Sequence, residues 1–384
     1  MTDTISPCPA NGATESVDLV RKHFRLVYAV CASTGHDNDV HYECGKRMTS
    51  ILEALEANNL TPASLPDEIV ELENVTPARE EDLELVHATE HITKMRQTAI
   101  DEAPCVVADF EEPPDNVTYM TKTSYEDALK GIGVALALVD CVAAADRAGT
   151  TPKGFGLIRP PGHHATTNAP MGFCLFNNVA IAARHAQQHC GLKKVLIVDF
   201  DVHHGNGTQD IFYEDPSVLF IDMHQLDVWP GSGQVAETGK GEGKGCTINV
   251  PLPIASGDEV AGEGLERIIA PAARRFAPDI ILVSAGFDAH WRDPLEQLNF
   301  QSATYHKLVS GLRDLADELC GGRLVVLLEG GYSMQGLSEG VCEAFQALLK
   351  RPPLHPHDPE VPSEPLHAAK LALDDVVALH ALAS

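Results

Sequence analysis

DFDVHHGNG, running from Asp199 to Gly207, is the stretch that decides how this chain folds. The residues just before it, Lys194 to Val198 (KVLIV), are apolar on both faces, as in a strand at the middle of a parallel sheet. Asp199, Asp201 and His203 follow at i, i+2 and i+4, so the strand period of two puts them on one face where the strand ends. Burying two acids there is costly unless a cation or hydrogen-bond donors compensate, which points to a metal.

Working outward, three further segments repeat the design: Gly154 to His164 (GFGLIRPPGHH), Ile280 to Pro294 (IILVSAGFDAHWRDP) and Arg323 to Tyr332 (RLVVLLEGGY). Each runs an apolar strand into a Gly- or Pro-rich turn that carries polar chemistry. The expected fold is α/β, a single-domain three-layer parallel sheet with helices on both faces. In such sheets ligands bind outside the carboxyl ends of the strands. One site is therefore expected, assembled from His163, His164, Asp201, His203, Asp288 and Tyr332.

The chain has 384 residues, 44% hydrophobic and 22% charged, as a soluble globular protein does. Its 28 basic and 55 acidic residues give a net charge of −27. That balance argues against nucleic-acid binding by phosphate neutralisation and favours cationic substrates. The ten cysteines are scattered without CxxC spacing, which suggests a reducing compartment and neither a disulfide framework nor a thiolate zinc site. No apolar leader and no run near the roughly 18 residues of a membrane span is visible. The expectation is an intracellular soluble protein, the cytoplasm first, with nucleus or organelle left open.

The expected organisation is a flexible segment over residues 1–24, a catalytic domain over 25–350, a Pro-rich linker over 351–366 and a terminal helix over 367–384. Within the domain, Leu26 to Ser33 reads as the first strand and Cys44 to Asn58 as an amphipathic helix. Tyr125 to Ala148 and Asn177 to His189 read as further helices, and Pro66 to Glu84 as loop with a short helix. Later strands fall at Val218 to Met223, Thr247 to Leu252, Ile280 to Ser284 and Leu324 to Leu328. The six prolines of RPPLHPHDPEVPSEP forbid helix or inner strand. The last helix shows apolar Leu371, Val376, Val377, Leu379 and Leu382 and is expected to pack back on its own domain. Gly231 to Gly245 lacks a GxxxxGK[ST] signature and reads as a mobile rim, not a phosphate loop.

Asp201, His203 and Asp288 offer a metal three ligands and leave a fourth position open for water, a catalytic arrangement. Taken singly, each is as well read as a strand-end cap or core histidine; their convergence favours the metal. Two carboxylates and one imidazole also suit iron, cobalt or manganese. His163 and His164 follow a rigid Pro-Pro-Gly turn, with Asp199 for one and Asn206 for the other as orienting partners. Tyr332, presented by Gly330 and Gly331, is placed to donate its hydroxyl to a developing oxyanion. Phe173 and Trp229 suit the walls of a narrow apolar tube, although most aromatics are simply core.

At these residues the chain resembles the histone deacetylase family, class II-like branch, on the arginase/deacetylase fold. RPPGHH, GFCLFNN, DVHHGNGTQ, SAGFDAHWRDP and LEGGY match in order and spacing between about Leu26 and Leu349, and HYECGKR matches the early HPExPxR more weakly. The wording is closest to bacterial and plant organellar members. The resemblance implies Zn2+ on Asp201, His203 and Asp288, with Fe2+ or Co2+ as substitutes. It implies His164 as general base and acid, His163 as electrostatic support and Tyr332 as the group polarising the acetyl carbonyl. Phe173, Trp229 and Leu295 would line an acyl-lysine tunnel. A structural K+ or Na+ would sit near Asp199, Asp201, His203, Asp222 and Met223.

The chain departs from the family at several points. Asn206 stands where class I members have Asp, and Trp229 where Phe or Tyr is usual. Asp222 replaces the usual Ser near the monovalent cation, and Tyr42 and Gly45 replace two prolines at the entrance segment of Glu43 and Arg47. The expected partners are acetyl-lysine proteins or peptides, histone or non-histone, with small acetylated amines as the alternative. No nucleic-acid or membrane partner is expected, and a homo-oligomer stays open. Leu295 after the DP, with Glu296 one later, leans away from strict polyamine specificity. A non-catalytic binding protein is a remote alternative, because no ligand residue is lost. A two-manganese ureohydrolase is disfavoured, because His204 follows His203 where an Asp would be needed.

Overall fold

The computed structural model describes residues 24–109, 113, 116–144 and 151–382. The expected flexible segment, up to residue 23, and the last four residues of the expected helix Tyr125 to Ala148 lie outside the described residues. Eight strands form one sheet: β1 (Leu26–Cys31), β2 (Ile69–Glu71), β5 (Lys153–Ile158), β6 (Val195–Asp199), β7 (Val218–Gln225), β8 (Thr247–Leu252), β9 (Ile280–Ala285) and β10 (Leu324–Leu328). Their order is β2-β1-β5-β10-β9-β6-β7-β8, and every pairing is parallel. Two short strands, β3 (Cys105–Ala108) and β4 (Thr118–Met120), pair antiparallel beside it.

Alternation along the strands feeds two cores. In β6, Leu196 and Val198 join one apolar cluster while Val195 and Ile197 join the other. The first lies under helices Lys46–Ala57, Ser302–Leu319, Met334–Leu348 and Leu366–Leu379; the second under Thr89–Asp101, Ser124–Ala144 and Asn178–Gln188. This is the three-layer architecture the alternation of strand and helix predicts. The four strands that run into reactive turns, β5, β10, β9 and β6, are contiguous at the middle of the sheet, so their carboxyl ends open onto one place.

Several boundaries and roles differ from the sequence reading. Pro66 to Glu84 contains the edge strand β2 as well as the helix Glu80–Leu83, because Ile69 to Glu71 pairs with Leu26 to Tyr28. The terminal helix buries Ala369, Leu373 and Val376, spaced i, i+4, i+7, whereas Leu371 and Leu379 of the expected stripe are about half exposed. The proline-rich stretch is laced onto the domain and is not a free spacer. Glu364 accepts the N–H groups of Gly257 (3.0 Å), Glu259 (2.9 Å) and Val260 (3.3 Å), and Arg292 pairs with Asp358 at 2.7 Å. The glycine run is likewise folded down: Gly233 lies against His204 and His224, and Lys240 N–H donates to the Tyr213 carbonyl at 2.8 Å.

Candidate active site

One ligand atom each from Asp201, His203 and Asp288 lies within 4.8 Å of the other two, and all three residues are buried. Their orientation is fixed by backbone. Val202 N–H donates to Asp288 Oδ1 at 2.9 Å, His203 N–H to Asp201 Oδ1 at 3.0 Å and Gly330 N–H to Asp201 Oδ2 at 2.9 Å. His203 Nδ1 sits 3.2 Å from Asp201 Oδ1 and 3.5 Å from Asp288 Oδ2. Asp288 Oδ2 itself is buried with no hydrogen-bond partner, a position that desolvation makes costly unless a cation is added.

Close glycines make this cradle. A Cβ on Gly286 would lie 2.1 Å from Asp201 Oδ2, and one on Gly330 would lie 2.1 Å from Asp288 Oδ2. The donor set of two carboxylates and an imidazole, an orphaned carboxylate oxygen and backbone kept out of the space between them together fit a divalent transition metal.

The two histidines of the Pro-Pro-Gly turn lie side by side, ring centroids 3.9 Å apart. His163 Nδ1–H donates to Asp199 Oδ2 at 3.0 Å, and His164 Nδ1–H donates to Asn206 Oδ1 at 2.8 Å. Each pairing leaves Nε2 for chemistry. Burial opposes charge on both rings, but the outcomes diverge. Asp201 and Asp199 hold His163 well above the ordinary imidazole range, whereas burial and the adjacent His163 and His203 hold His164 well below it. The two adjacent imidazoles are thus shifted in opposite directions.

Tyr332 closes the site. Burial keeps its phenol well above its ordinary range, so the hydroxyl stays a donor. Its loop is held by groups whose roles the sequence did not reveal. Asp293 Oδ2 accepts Tyr332 N–H at 2.7 Å and Ser333 N–H at 3.0 Å. Arg47 Nε–H donates to the Gly331 carbonyl at 2.7 Å, and its guanidinium stands 5.1 Å from the Tyr332 ring centroid. Arg47 is fully buried with Glu43 and Arg159; Glu43 Oε2 accepts from Arg159 at 2.9 Å. The segment expected at the entrance therefore lies behind the tyrosine loop, with the buried Glu43 carboxylate paired to both guanidinium groups. Glu329 accepts Gly162 N–H at 2.6 Å and His163 N–H at 3.2 Å, tying the histidine turn to β10. Glu329 shows in sequence as an acid at the end of an apolar strand, like Asp199, while Glu43, Arg47 and Asp293 lie in the stretches HYECGKR and SAGFDAHWRDP, which gave no such role for them.

A cavity of about 80 Å³ descends to this point, lined by Phe173, Trp229, Leu295, Glu296, His164, His203 and Tyr332, with Asp109 and Asn116 also on its wall. Trp229 meets His164 edge to face at 4.7 Å, and Phe173 meets Tyr332 at 5.7 Å. Phe173 has φ +67, strained for a bulky side chain. Its N–H donates to Thr118 Oγ1 at 2.9 Å and that of Gly172 to Asp109 Oδ2 at 3.0 Å, so the β3–β4 hairpin holds this wall in place. Glu296, one residue past Leu295, does face the cavity, 3.6 Å from His203 Nε2.

Behind the metal cradle, Asp199 and Asp222 are partners in register on β6 and β7, and both are fully buried. Asp222 Oδ2 accepts Gly205 N–H at 2.7 Å, and its Oδ1 accepts His224 Nδ1–H at 2.6 Å. Met223 is buried beside them.

A parallel-sheet edge carrying this arrangement defines a hydrolytic deacetylase on the arginase/deacetylase fold. The family model described as the histone deacetylase domain matches residues 41–348, and the chain belongs to that family. It is 50% identical over 326 residues to Histone deacetylase 14, chloroplastic, of Arabidopsis thaliana, covering 85% of this chain and 77% of that one. It is 44% identical to Histone deacetylase 10, chloroplastic, of Oryza sativa subsp. japonica, over 95% of this chain and 83% of that one. Among solved structures, the crystal structure of the HDA15 HD domain superposes with TM-score 0.79 at 32% identity, over 93% of this chain and 94% of that one. No helix among the described residues is long and apolar enough to cross a membrane.

Proposed function

We propose that the protein is a Zn2+-dependent deacetylase acting on acetyl-lysine side chains of histone or non-histone proteins, releasing acetate. The observation that carries this reading is the small aromatic-walled cavity ending on His164, His203 and Tyr332. Its Phe173 and Trp229 walls suit an extended acyl-lysine stem, and carboxylates at Asp109 and Glu296 suit a cationic chain. Asp201, His203 and Asp288 would hold the ion, which when bound supplies Lewis-acid activation of water and of the acyl carbonyl.

The chain's own residues do the rest. His164 Nε2, left bare by the bond from Nδ1–H to Asn206, takes the proton of the attacking water. Tyr332 donates its phenolic proton in a hydrogen bond to the acyl oxygen as that oxygen gains charge. His163, charged and anchored on Asp199, stabilises the negative charge that builds up. The C–N bond then breaks, His164 returns the proton to the leaving amine, and acetate and free lysine result. The Phe173 and Trp229 walls keep other water away. A structural K+ or Na+ near Asp199, Asp201, His203, Asp222 and Met223 belongs to the same reading; the buried acids Asp199 and Asp222 on adjacent strands support it.

Glu296 supports a second reading, deacetylation of small acetylated polyamines or arylalkylamines, because a carboxylate on the cavity wall attracts a second amine of a substrate. The test compares kcat/KM of the Zn2+-loaded protein for an acetyl-lysine peptide, acetylated polyamines and an acetylated arylalkylamine, with Glu296→Gln alongside. Preference for the peptide, little changed in Glu296→Gln, supports the protein deacetylase. Preference for an amine that collapses in Glu296→Gln supports the metabolic enzyme, and activity on none overturns both.

A further inference from the structure

A second cluster of metal-binding side chains lies away from the active site, at the far end of helix Asn178–Gln188. The first end of that helix belongs to the site: Asn177 caps it, accepting Ala180 N–H at 3.0 Å, and also donates to the Ala165 carbonyl at 3.2 Å. The helix runs for eleven residues, about 16 Å along its axis, with His185 in its last turn and His189 as its C-cap. These histidines are spaced i, i+4, so their rings share a face, with centroids 4.9 Å apart. Asp82, at the end of the short helix Glu80–Leu83, faces them; one ligand atom from each of Asp82, His185 and His189 lies within 4.8 Å of the others.

The state of His185 marks the cluster as more than a chance grouping. Its Nε2–H donates to Asp140 Oδ1 at 2.7 Å, and Asp140 Oδ1 also accepts from Cys190 Sγ at 3.4 Å. In the neutral tautomer, a ring that donates from Nε2 to a carboxylate carries a bare lone pair on Nδ1. Here Nδ1 is buried and has no hydrogen-bond partner. An imidazole oriented by a carboxylate through one nitrogen and unsatisfied at the other is the arrangement that metal-binding histidines adopt. The helix carboxyl terminus adds partial negative charge at the same place. The competing cation is weakly placed: Arg79 Nε is 3.9 Å from Asp82 Oδ2, and its side chain is 71% exposed.

We propose that Asp82, His185 and His189 form a second transition-metal site, with Nδ1 of His185 as its central ligand and Asp140 as the positioning carboxylate behind it. Two imidazoles and a carboxylate suit Zn2+, with Cu2+ and Ni2+ as tighter-binding competitors. Bound there, the ion staples the segment carrying Asp82 to the end of helix Asn178–Gln188, and the exposed His189 side leaves room for water to complete the coordination.

The test is metal content per chain, measured on the full-length protein after chelator stripping and equilibrium dialysis against buffered Zn2+. The expected result is about two equivalents in wild type and about one in His189→Ala, whose deacetylase kcat/KM stays unchanged. His203→Ala should also hold about one, and the double variant none, with circular dichroism confirming that each is folded. Asp140→Asn should weaken the second equivalent by about 10- to 100-fold while leaving the first intact, as loss of an orienting carboxylate does. The same metal content in His189→Ala as in wild type overturns the proposal whether or not His203→Ala folds.

Discussion

At the scale of single residues, the proposed mechanism separates groups that react from groups that leave room. It assigns Tyr332 to the first, and its donor is the only part of the side chain that Phe lacks. Tyr332→Phe should lower kcat by about 10²- to 10³-fold with metal content kept, as removal of one oxyanion donor does elsewhere. Metal analysis beside single-turnover kinetics checks it, and turnover equal to wild type would end the assignment. Gly330 does the second. A Cβ there would fall 2.1 Å from Asp288 Oδ2 and 2.6 Å from Asp201 Oδ2, both on buried carboxylates held by backbone donors. Gly330→Ala should therefore lose metal while the fold persists, seen as a fall in bound Zn2+ with native circular dichroism. In the sequence the convergence of the candidate side chains was legible, because an acid or imidazole just beyond an apolar strand is costly to bury unless a ligand or partner compensates it. The orphaned Asp288 Oδ2 was not, because only three-dimensional accounting shows which oxygen lacks a donor.

At the scale of elements, the strands that end in chemistry were readable from their apolar runs and turns, but the parts that brace them were not. β3 is short and mostly half-buried and β4 is a buried three-residue strand, so neither shows a readable alternation, yet Thr118 and Asp109 fix the Phe173 wall through backbone N–H groups. Helix Lys46–Ala57 is expected from its apolar stripe, while its buried Arg47 gives no hint in sequence that it reaches across to the Tyr332 loop. Burying an arginine is tolerable here because Glu43 and two carbonyls receive its donors. Arg47→Met keeps the unbranched stem of the side chain but leaves Glu43 with one guanidinium and frees the loop. Breaking a buried pair this way costs about 3–5 kcal/mol. Chemical denaturation should show a loss of that order, together with a kcat reduced more than KM is raised, because the loop positions Tyr332 and not the substrate stem. An unchanged midpoint would mean that Arg159 alone satisfies Glu43.

At the scale of the whole molecule, the sheet order explains why one edge holds all the chemistry, and the same burial that builds the site makes the fold sensitive to acid. His87 shows how. Its Nδ1–H donates to the Thr166 carbonyl at 2.9 Å and its Nε2 accepts Asn177 N–H at 2.9 Å, so the ring is needed neutral to join helix Thr89–Asp101 to the cap of helix Asn178–Gln188. Burial first, then the neighbouring His91, lowers its pKa to about 3, and burial lowers that of His91 as well. The unfolded chain takes up a proton near the ordinary imidazole value while the folded one refuses it, so the unfolded state binds more protons below that value. The stabilisation is complete above about pH 6.5 and is lost progressively as the pH falls toward about 3. At pH 5 the His87 contribution to that loss is about 2 kcal/mol. Urea denaturation at pH 7.5 and pH 5 should show wild type losing more stability than His87→Gln by that order, although the variant starts lower at pH 7.5 for want of one well-placed bond. The difference isolates His87, because the active-site histidines titrate alike in both proteins. An equal pH dependence in the two would mean that His87 is protonated in the fold, with Asn177 N–H satisfied elsewhere.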